Sequence, residues 1–238
     1  MTPELVVLGN LLLDDMVFPD GRTRMAEPGG ATLYAGLAAS LWGLRAGVAS
    51  VRGDDYPAWA LSALAARGVD LAGVAALGGP GIRTWLLYEG ARRQVVHRLD
   101  RPTHARVSPA PGGLPPAWRG AGAFHLAPMP FDVQRDLVAA LSPLEGPMKQ
   151  EVWDRVLDES VILHGGERYA WTIPLAFPVS DAEARAIRPG SGVAVTREDG
   201  ELVAIVDDVE VFDWDKPRYV KIVYGTDRFD HPVEPHRA

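Results

Sequence analysis

Gly29-Gly30-Ala31-Thr32-Leu33-Tyr34-Ala35-Gly36-Leu37-Ala38-Ala39-Ser40-Leu41-Trp42-Gly43 is the stretch on which the reading of the first half turns. Leu33, Leu37 and Leu41 recur every four residues, with Ala38 and Trp42 beside them. That spacing is one apolar face of a helix, and Gly43 stops it. Upstream, Leu5-Val-Val-Leu8 is a short continuous apolar run closed by Gly9, as in a buried strand. Between them, Met16 to Arg24 contains Pro19-Asp20-Gly21, a turn that suits a hairpin. Downstream, Ala46 to Val51 reads as the next strand, ending in Gly53-Asp54-Asp55. Pro57 to Arg67 reads as a second helix, with proline in its first turn and Gly68 past its end. Thr84 to Val96 suits a hairpin about Glu89-Gly90, Pro109 to Pro116 a loop, Phe124 to Leu126 a strand and Phe131 to Leu141 a helix. Alternating strand and helix predicts an α/β sheet packed by helices.

Three features carry a family resemblance. Asp14 follows Gly9 by five residues, the glycine pair opens the helix that Gly43 closes, and Gly53-Asp54-Asp55 ends the next strand before Arg67-Gly-Val-Asp70. In these, residues 5–142 resemble the N-terminal half of a ribokinase-like (phosphofructokinase-B type) carbohydrate kinase. The resemblance implies that Asp14 accepts hydrogen bonds from sugar hydroxyls and that Gly29 and Gly30 bring backbone close to the same sugar, where only glycine fits. It also implies that the hairpins at 16–27 and 84–96 form a small lid sheet. The lysine and asparagine that ribokinases carry after the glycine pair are Ala31 and Tyr34 here, so another polyol or a nucleoside is expected in place of ribose. From the residues alone, Asp14 reads as a cap or brace at a strand end and Asp15 as its solvated neighbour. His97, His104 and His125 lack metal-ligand spacing and read as packed or surface imidazoles. No metal site is expected.

Composition changes along the chain. Of 238 residues, the first 143 hold 13 arginines, no lysine and 12 acidic residues, a net +1; the rest hold 11 basic and 19 acidic residues, a net −8. Lys149 is the first lysine, and 18 of the 25 glycines lie before residue 144. Such a step predicts two domains, 1–143 and 144–238. With no cysteine, disulfides and thiolate chemistry are excluded. The net charge of −7 argues against nucleic acid as a partner. No apolar run approaches a membrane span and no basic n-region opens the chain, so a cytoplasmic protein without a membrane partner is expected.

Beyond residue 143 the pattern is of short segments. Gln150 to Leu157 reads as an amphipathic helix, Tyr169 to Val179 as an edge or bulged strand with two prolines, and Asp181 to Ile187 as a helical turn. Gly192 to Val195 and Leu202 to Val206 flank the turn 197–200, and Val209 to Phe212 and Tyr219 to Tyr224 read as further strands of a small β-barrel. His164 precedes Gly165-Gly166 in a turn. The run Asp207, Asp208, Glu210, Asp213 and Asp215 reads as a solvated edge rather than a cation site. Pro143-Leu-Glu-Gly-Pro-Met148, Glu159-Ser-Val-Ile162, Tyr169-Ala-Trp-Thr-Ile-Pro174, Asp207-Asp208, Trp214-Asp-Lys216, Val223-Tyr-Gly-Thr-Asp227 and Asp230-His-Pro232 resemble the N-terminal, PUA-like domain of ATP sulfurylase (sulfate adenylyltransferase). The resemblance implies a scaffold without its opening strands, with His231 structural.

Both families imply ATP and Mg, yet no Gly-x-Gly-Asp follows residue 143 and no Gly-x-x-x-x-Gly-Lys occurs. The catalytic residues expected here are therefore none. The expected protein is an α/β segment with lid hairpins followed by a mostly β, PUA-like barrel segment, a chimeric or truncated fusion without a complete catalytic site. Phosphorylation of a sugar or nucleoside hydroxyl is its nearest activity. A sulfate-activation scaffold, or an interaction module that self-associates through unfinished sheet edges, are the alternatives.

Overall fold

The computed structural model describes residues 2–228 and divides into two units, Met1–Ser142 and Pro143–Ala238. In the first unit the chain runs β1 (Leu5–Leu8), β2 (Leu12–Val17), β3 (Thr23–Gly29), α1 (Ala31–Leu41), β4 (Ala46–Arg52), α2 (Ala58–Ala66), β5 (Asp70–Ala76), β6 (Arg83–Glu89), β7 (Arg92–His97), β8 (Ala123–Leu126) and α3 (Phe131–Leu141). Short 3-10 turns connect β7 to β8.

One sheet has the order β5-β4-β1-β8 and is parallel throughout. Parallel strands are covered on both faces, and the burial follows that rule. Val7 and Val48 pack with Leu33 of α1 and Leu64 of α2 on one side. Val6, Leu8 and Ala49 pack with Trp118 and Leu137 of α3 on the other. Glycines make room for the indole: a β-carbon at Gly73 would lie 2.6 Å from Trp118 Cζ3, and one at Gly47 2.9 Å from its Cη2. The outer edges of β5 and β8 pair with no strand among the described residues. The first unit is thus the expected α/β sheet with helices.

A second sheet, of order β3-β2-β6-β7, joins the two hairpins expected around 16–27 and 84–96 through a parallel β2–β6 pairing. The β2–β3 register shifts between Asp14 and Met16, where one residue of β2 faces two of β3. Ala26 sits in this bulge at φ 56°, a left-handed conformation unusual for a residue with a β-carbon.

The second unit contains α4 (Gln150–Glu159), β9 (Val161–His164), β10 (Glu167–Ala170), α5 (Asp181–Ala186), β11 (Val193–Thr196), β12 (Leu202–Val206) and α6 (Lys216–Tyr224). Trp153, Val156 and Leu157 of α4 pack with Ile162, Tyr219 and Val220, and Trp153 stacks on Tyr219 at 5.5 Å.

Several expectations are corrected here. Tyr219 to Tyr224 is helical: the Asp215 side chain caps the helix by accepting from Arg218 N–H at 3.0 Å, and a proline sits in its first turn. Gly225 ends it at φ 65°. Val209 to Phe212 forms no strand, and of Tyr169 to Val179 only Tyr169 and Ala170 are in one. Proline at 174 and 178 cannot donate to a ladder, which accounts for the irregular path. The strands form two separate two-stranded sheets, β10-β9 and β11-β12, with no closed barrel among the described residues. His231 and the whole motif at 230–232 lie outside the described residues.

Candidate functional site

The site is built where the second sheet of the first unit meets the end of β1. Paired residues on neighbouring strands share a face. The register therefore sets Glu27, Asp14, Thr84 and His97 in one row across all four strands. Thr84 Oγ1 and His97 Nδ1 are 3.3 Å apart. His97 meets the ring of His104 edge-on at 5.6 Å. His104 Nδ1 in turn lies 3.2 Å from Asn10 Nδ2, so that imidazole nitrogen accepts from the amide. Asn10 Oδ1 accepts from Ser108 Oγ at 2.7 Å. Polar and ring contacts thus run from Thr84, the strand neighbour of Asp14, through the two histidines to Asn10, just past β1.

Asp14 is half-buried, and the two glycines meet different groups. A β-carbon at Gly29 would lie 2.9 Å from the Asp14 carboxyl carbon. One at Gly30, where φ is 98°, would strike the Asn10 carbonyl oxygen. Gly30 is the N-cap of α1, and the conformation demands glycine. The structure therefore brings Asp14 against Gly29 and Gly30 against Asn10.

Burial raises the Asp14 carboxyl above its ordinary value; the Arg93 charge opposes this and the Asp15 charge adds to it. Tyr56 is 5% exposed, and its hydroxyl has no hydrogen-bond partner among the described residues. Burial pushes that hydroxyl far up, and the nearby charges of Tyr34 and Asp14 add to it. Tyr34, in the first turns of α1, donates to Pro28 carbonyl at 3.3 Å. His104 is held below the usual imidazole value by burial and by the charges of Arg101 and His97.

Asp15 is not the solvated residue expected. It is 2% exposed. Arg83 donates to both its carboxylate oxygens, Nε at 2.6 Å and Nη2 at 2.8 Å, and Ala26 N–H donates at 2.8 Å. Burial alone would raise this carboxyl, but those hydrogen bonds and the charges of Arg83 and Arg98 hold it below its ordinary value. The Asp-Asp pair divides because alternation in β2 points neighbours to opposite faces.

Sequence reasoning missed Asn10, Thr84 and Tyr56 and treated the histidines separately. His97 and His104 do come together, whereas His125 is exposed on β8. Strand register sets Thr84 and His97 in the row, while His104 reaches His97 from a 3-10 turn beyond β7, and no local pattern encodes either. In the second unit, Asp208 pairs with Lys149, Glu210 accepts from Gln150 N–H and Asp215 caps α6. No cluster of three or more potential metal ligands occurs among the described residues.

Residues 132–235 match the PUA-like domain family. A sulfate adenylyltransferase of Pyropia yezoensis is 45% identical over 92 residues, 39% of this chain but 22% of that protein. A cytidine kinase of Thermococcus kodakarensis is 29% identical over 221 residues, 86% of this chain and 76% of that protein. This coverage exceeds the first unit, so the kinase likeness continues past Ser142 and the two likenesses overlap. Among solved structures, a PfkB protein from Polaromonas sp. JS666 aligns with TM-score 0.46 at 17% identity, covering 63% of this chain and 60% of that one. The chain thus spans less than a quarter of the sulfate adenylyltransferase. The N-terminal part resembles ribokinase-like kinases, and the C-terminal part resembles the PUA-like domain of sulfate adenylyltransferase. No helix among the described residues is long and apolar enough to cross a membrane.

Proposed function

We propose that the first unit binds a small hydroxyl-bearing molecule, a nucleoside in preference to a free sugar, and holds one of its hydroxyls against Asp14. The observation that carries this is the Asp14 carboxylate set against Gly29, together with a buried Tyr56 hydroxyl that feels its charge and has no partner among the described residues. An ionised carboxylate accepts from substrate hydroxyls. A bound molecule would also satisfy the Tyr56 hydroxyl, which otherwise carries the cost of an unpaired buried polar group. The likeness to a cytidine kinase favours the nucleoside.

In such a reaction ATP with Mg would supply the phosphoryl group. The sequence carries neither of the glycine-rich phosphate motifs that would hold that donor. The proposed activity of the chain by itself is therefore binding and orientation, without phosphoryl transfer. The second unit is read as a scaffold related to that of sulfate adenylyltransferases.

Titration calorimetry with cytidine and with ribose tests the reading. Cytidine should bind more tightly than ribose, and Asp14→Ala should abolish binding. Affinity should rise with pH through a midpoint above the ordinary aspartate value, because the ionised carboxylate is the acceptor. The reading fails if neither ligand binds, or if Asp14→Ala binds as wild type does.

A further inference from the structure

We propose that Asp15 is a positioning residue, the centre of a latch with Arg83 and Ala26 that fixes how Asp14 and Gly29 face each other. The inference rests on the reading of Asp14 as the hydroxyl-binding group.

Asp15 ties three strands with one carboxylate. It belongs to β2, accepts the Ala26 N–H from β3, and receives both arms of the Arg83 fork from β6. Such a bidentate pair fixes geometry as well as charge. The bond to Ala26 falls in the bulge, the one place where the β2–β3 register shifts. Beyond the bulge, Glu27 pairs with Asp14 and Gly29 with Leu12. A slip of one residue there would turn every side chain of β3 to the other face. Loss of the bulge would bring Pro28 to the place of Gly29 beside the Asp14 carboxylate, where there is no room for its β-carbon.

Ala26 shows that the latch acts on the backbone. An alanine at φ 56° is held in a conformation it disfavours, and its N–H donates to Asp15. The substrate-facing and latch-facing carboxylates are neighbours in sequence on opposite faces of one strand. Asp15 therefore touches no ligand and acts through the strand.

The test compares wild type, Asp14→Asn, Asp15→Asn and Arg83→Lys by calorimetry with cytidine and ribose, with thermal melting alongside. Arg83→Lys keeps the charge and loses the fork. The expected result is loss of binding in Asp14→Asn, at least tenfold weaker binding in Asp15→Asn, and an intermediate loss in Arg83→Lys with its melting temperature lowered less than that of Asp15→Asn. If Asp15→Asn fails to fold, Arg83→Lys decides. If Arg83→Lys, and Asp15→Asn where it folds, bind as wild type does while Asp14→Asn does not, the latch is overturned and the site stands. If wild type binds neither ligand, the site reading has failed, and carbon NMR titration of the Asp14 carboxyl judges the latch. Its midpoint should fall toward the ordinary aspartate value in Arg83→Lys, and an unchanged midpoint overturns the proposal.

Discussion

The strands of the two units live in different surroundings. In β1, Val6, Val7 and Leu8 have no exposed surface, because helices cover both faces of the parallel sheet. In β12, Leu202, Val203 and Ile205 are each more than half exposed, although the run is as apolar. An apolar run thus reports strand formation in both places but burial in only one. What separates them is the partner: β1 is paired on both edges, while β12 has only β11. A two-stranded ribbon is marginal in water without a third strand or a packed helix. The second unit draws its core instead from α4 and α6, where Trp153 and Tyr219 stack.

The sharpest way to break this contrast is truncation. Leu8→Ala removes a side chain with no exposed surface and should cost about 3–4 kcal/mol, read as a shift in urea midpoint. Trp153→Ala should cost a similar amount, about 3–5 kcal/mol, because the helical core of the second unit is packed even though its ribbons are not. Leu202→Ala should change stability by less than about 0.5 kcal/mol. A cost near that of Leu8 would mean that β12 is covered in solution.

Polar burial sharpens the same comparison. The first unit buries Asp15, whereas the acidic residues around 207–215 stay at the surface of the second. Asp15→Ala leaves the Arg83 guanidinium without its carboxylate and should cost about 3 kcal/mol, the lower end for breaking a buried pair, since Arg83 is partly exposed. The pair also fixes the acid response. Because the folded carboxyl lies below its ordinary 3.8, its contribution is full above that value and is lost as pH falls through the lower folded one. Acid unfolding monitored by circular dichroism should begin at higher pH in Arg83→Lys than in wild type.

Much of the first unit was legible because its signals are local. The four-residue spacing in α1, the apolar run of β1 and the turn at Glu89-Gly90 each act within a dozen residues. The row Glu27-Asp14-Thr84-His97 was not legible, since it exists only through three strand pairings. Asp14 was singled out by resemblance and not from its surroundings. Asp15 was misread because a carboxylate reads as solvated until its arginine, distant in sequence, is known. In the second unit α6 was misread as a strand because Tyr219, Val220, Ile222, Val223 and Tyr224 are β-formers; the cap at Asp215 and the stack on Trp153 override that preference.

Gly73→Ala comes next in size. In β5, a strand the local pattern did not announce, the added methyl would meet Trp118 at a distance no packed atoms tolerate. The indole is 2% exposed and wedged against the sheet, so it cannot swing aside into water. Overpacking of this kind should cost about 1–3 kcal/mol, with a change in near-ultraviolet circular dichroism as the tryptophan shifts. The equivalent change at Gly146 in the second unit meets no atom and should leave that signal unchanged.

The smallest effect is a pH dependence confined to the first unit. His104 Nδ1 accepts from Asn10 at 3.2 Å, and a protonated ring could not. Burial, with the Arg101 and His97 charges, lowers the folded imidazole below its ordinary value of 6.5. The unfolded chain therefore binds a proton that the folded chain does not, and stability must fall as pH drops below 6.5 until the lower folded value is passed. His104→Gln has no titrating ring and keeps an amide oxygen able to accept from Asn10. Between pH 7 and 5 its melting temperature should decline less than that of wild type. Parallel declines would mean that the loss arises elsewhere and that the contacts from Thr84 to Asn10 do not depend on a neutral His104.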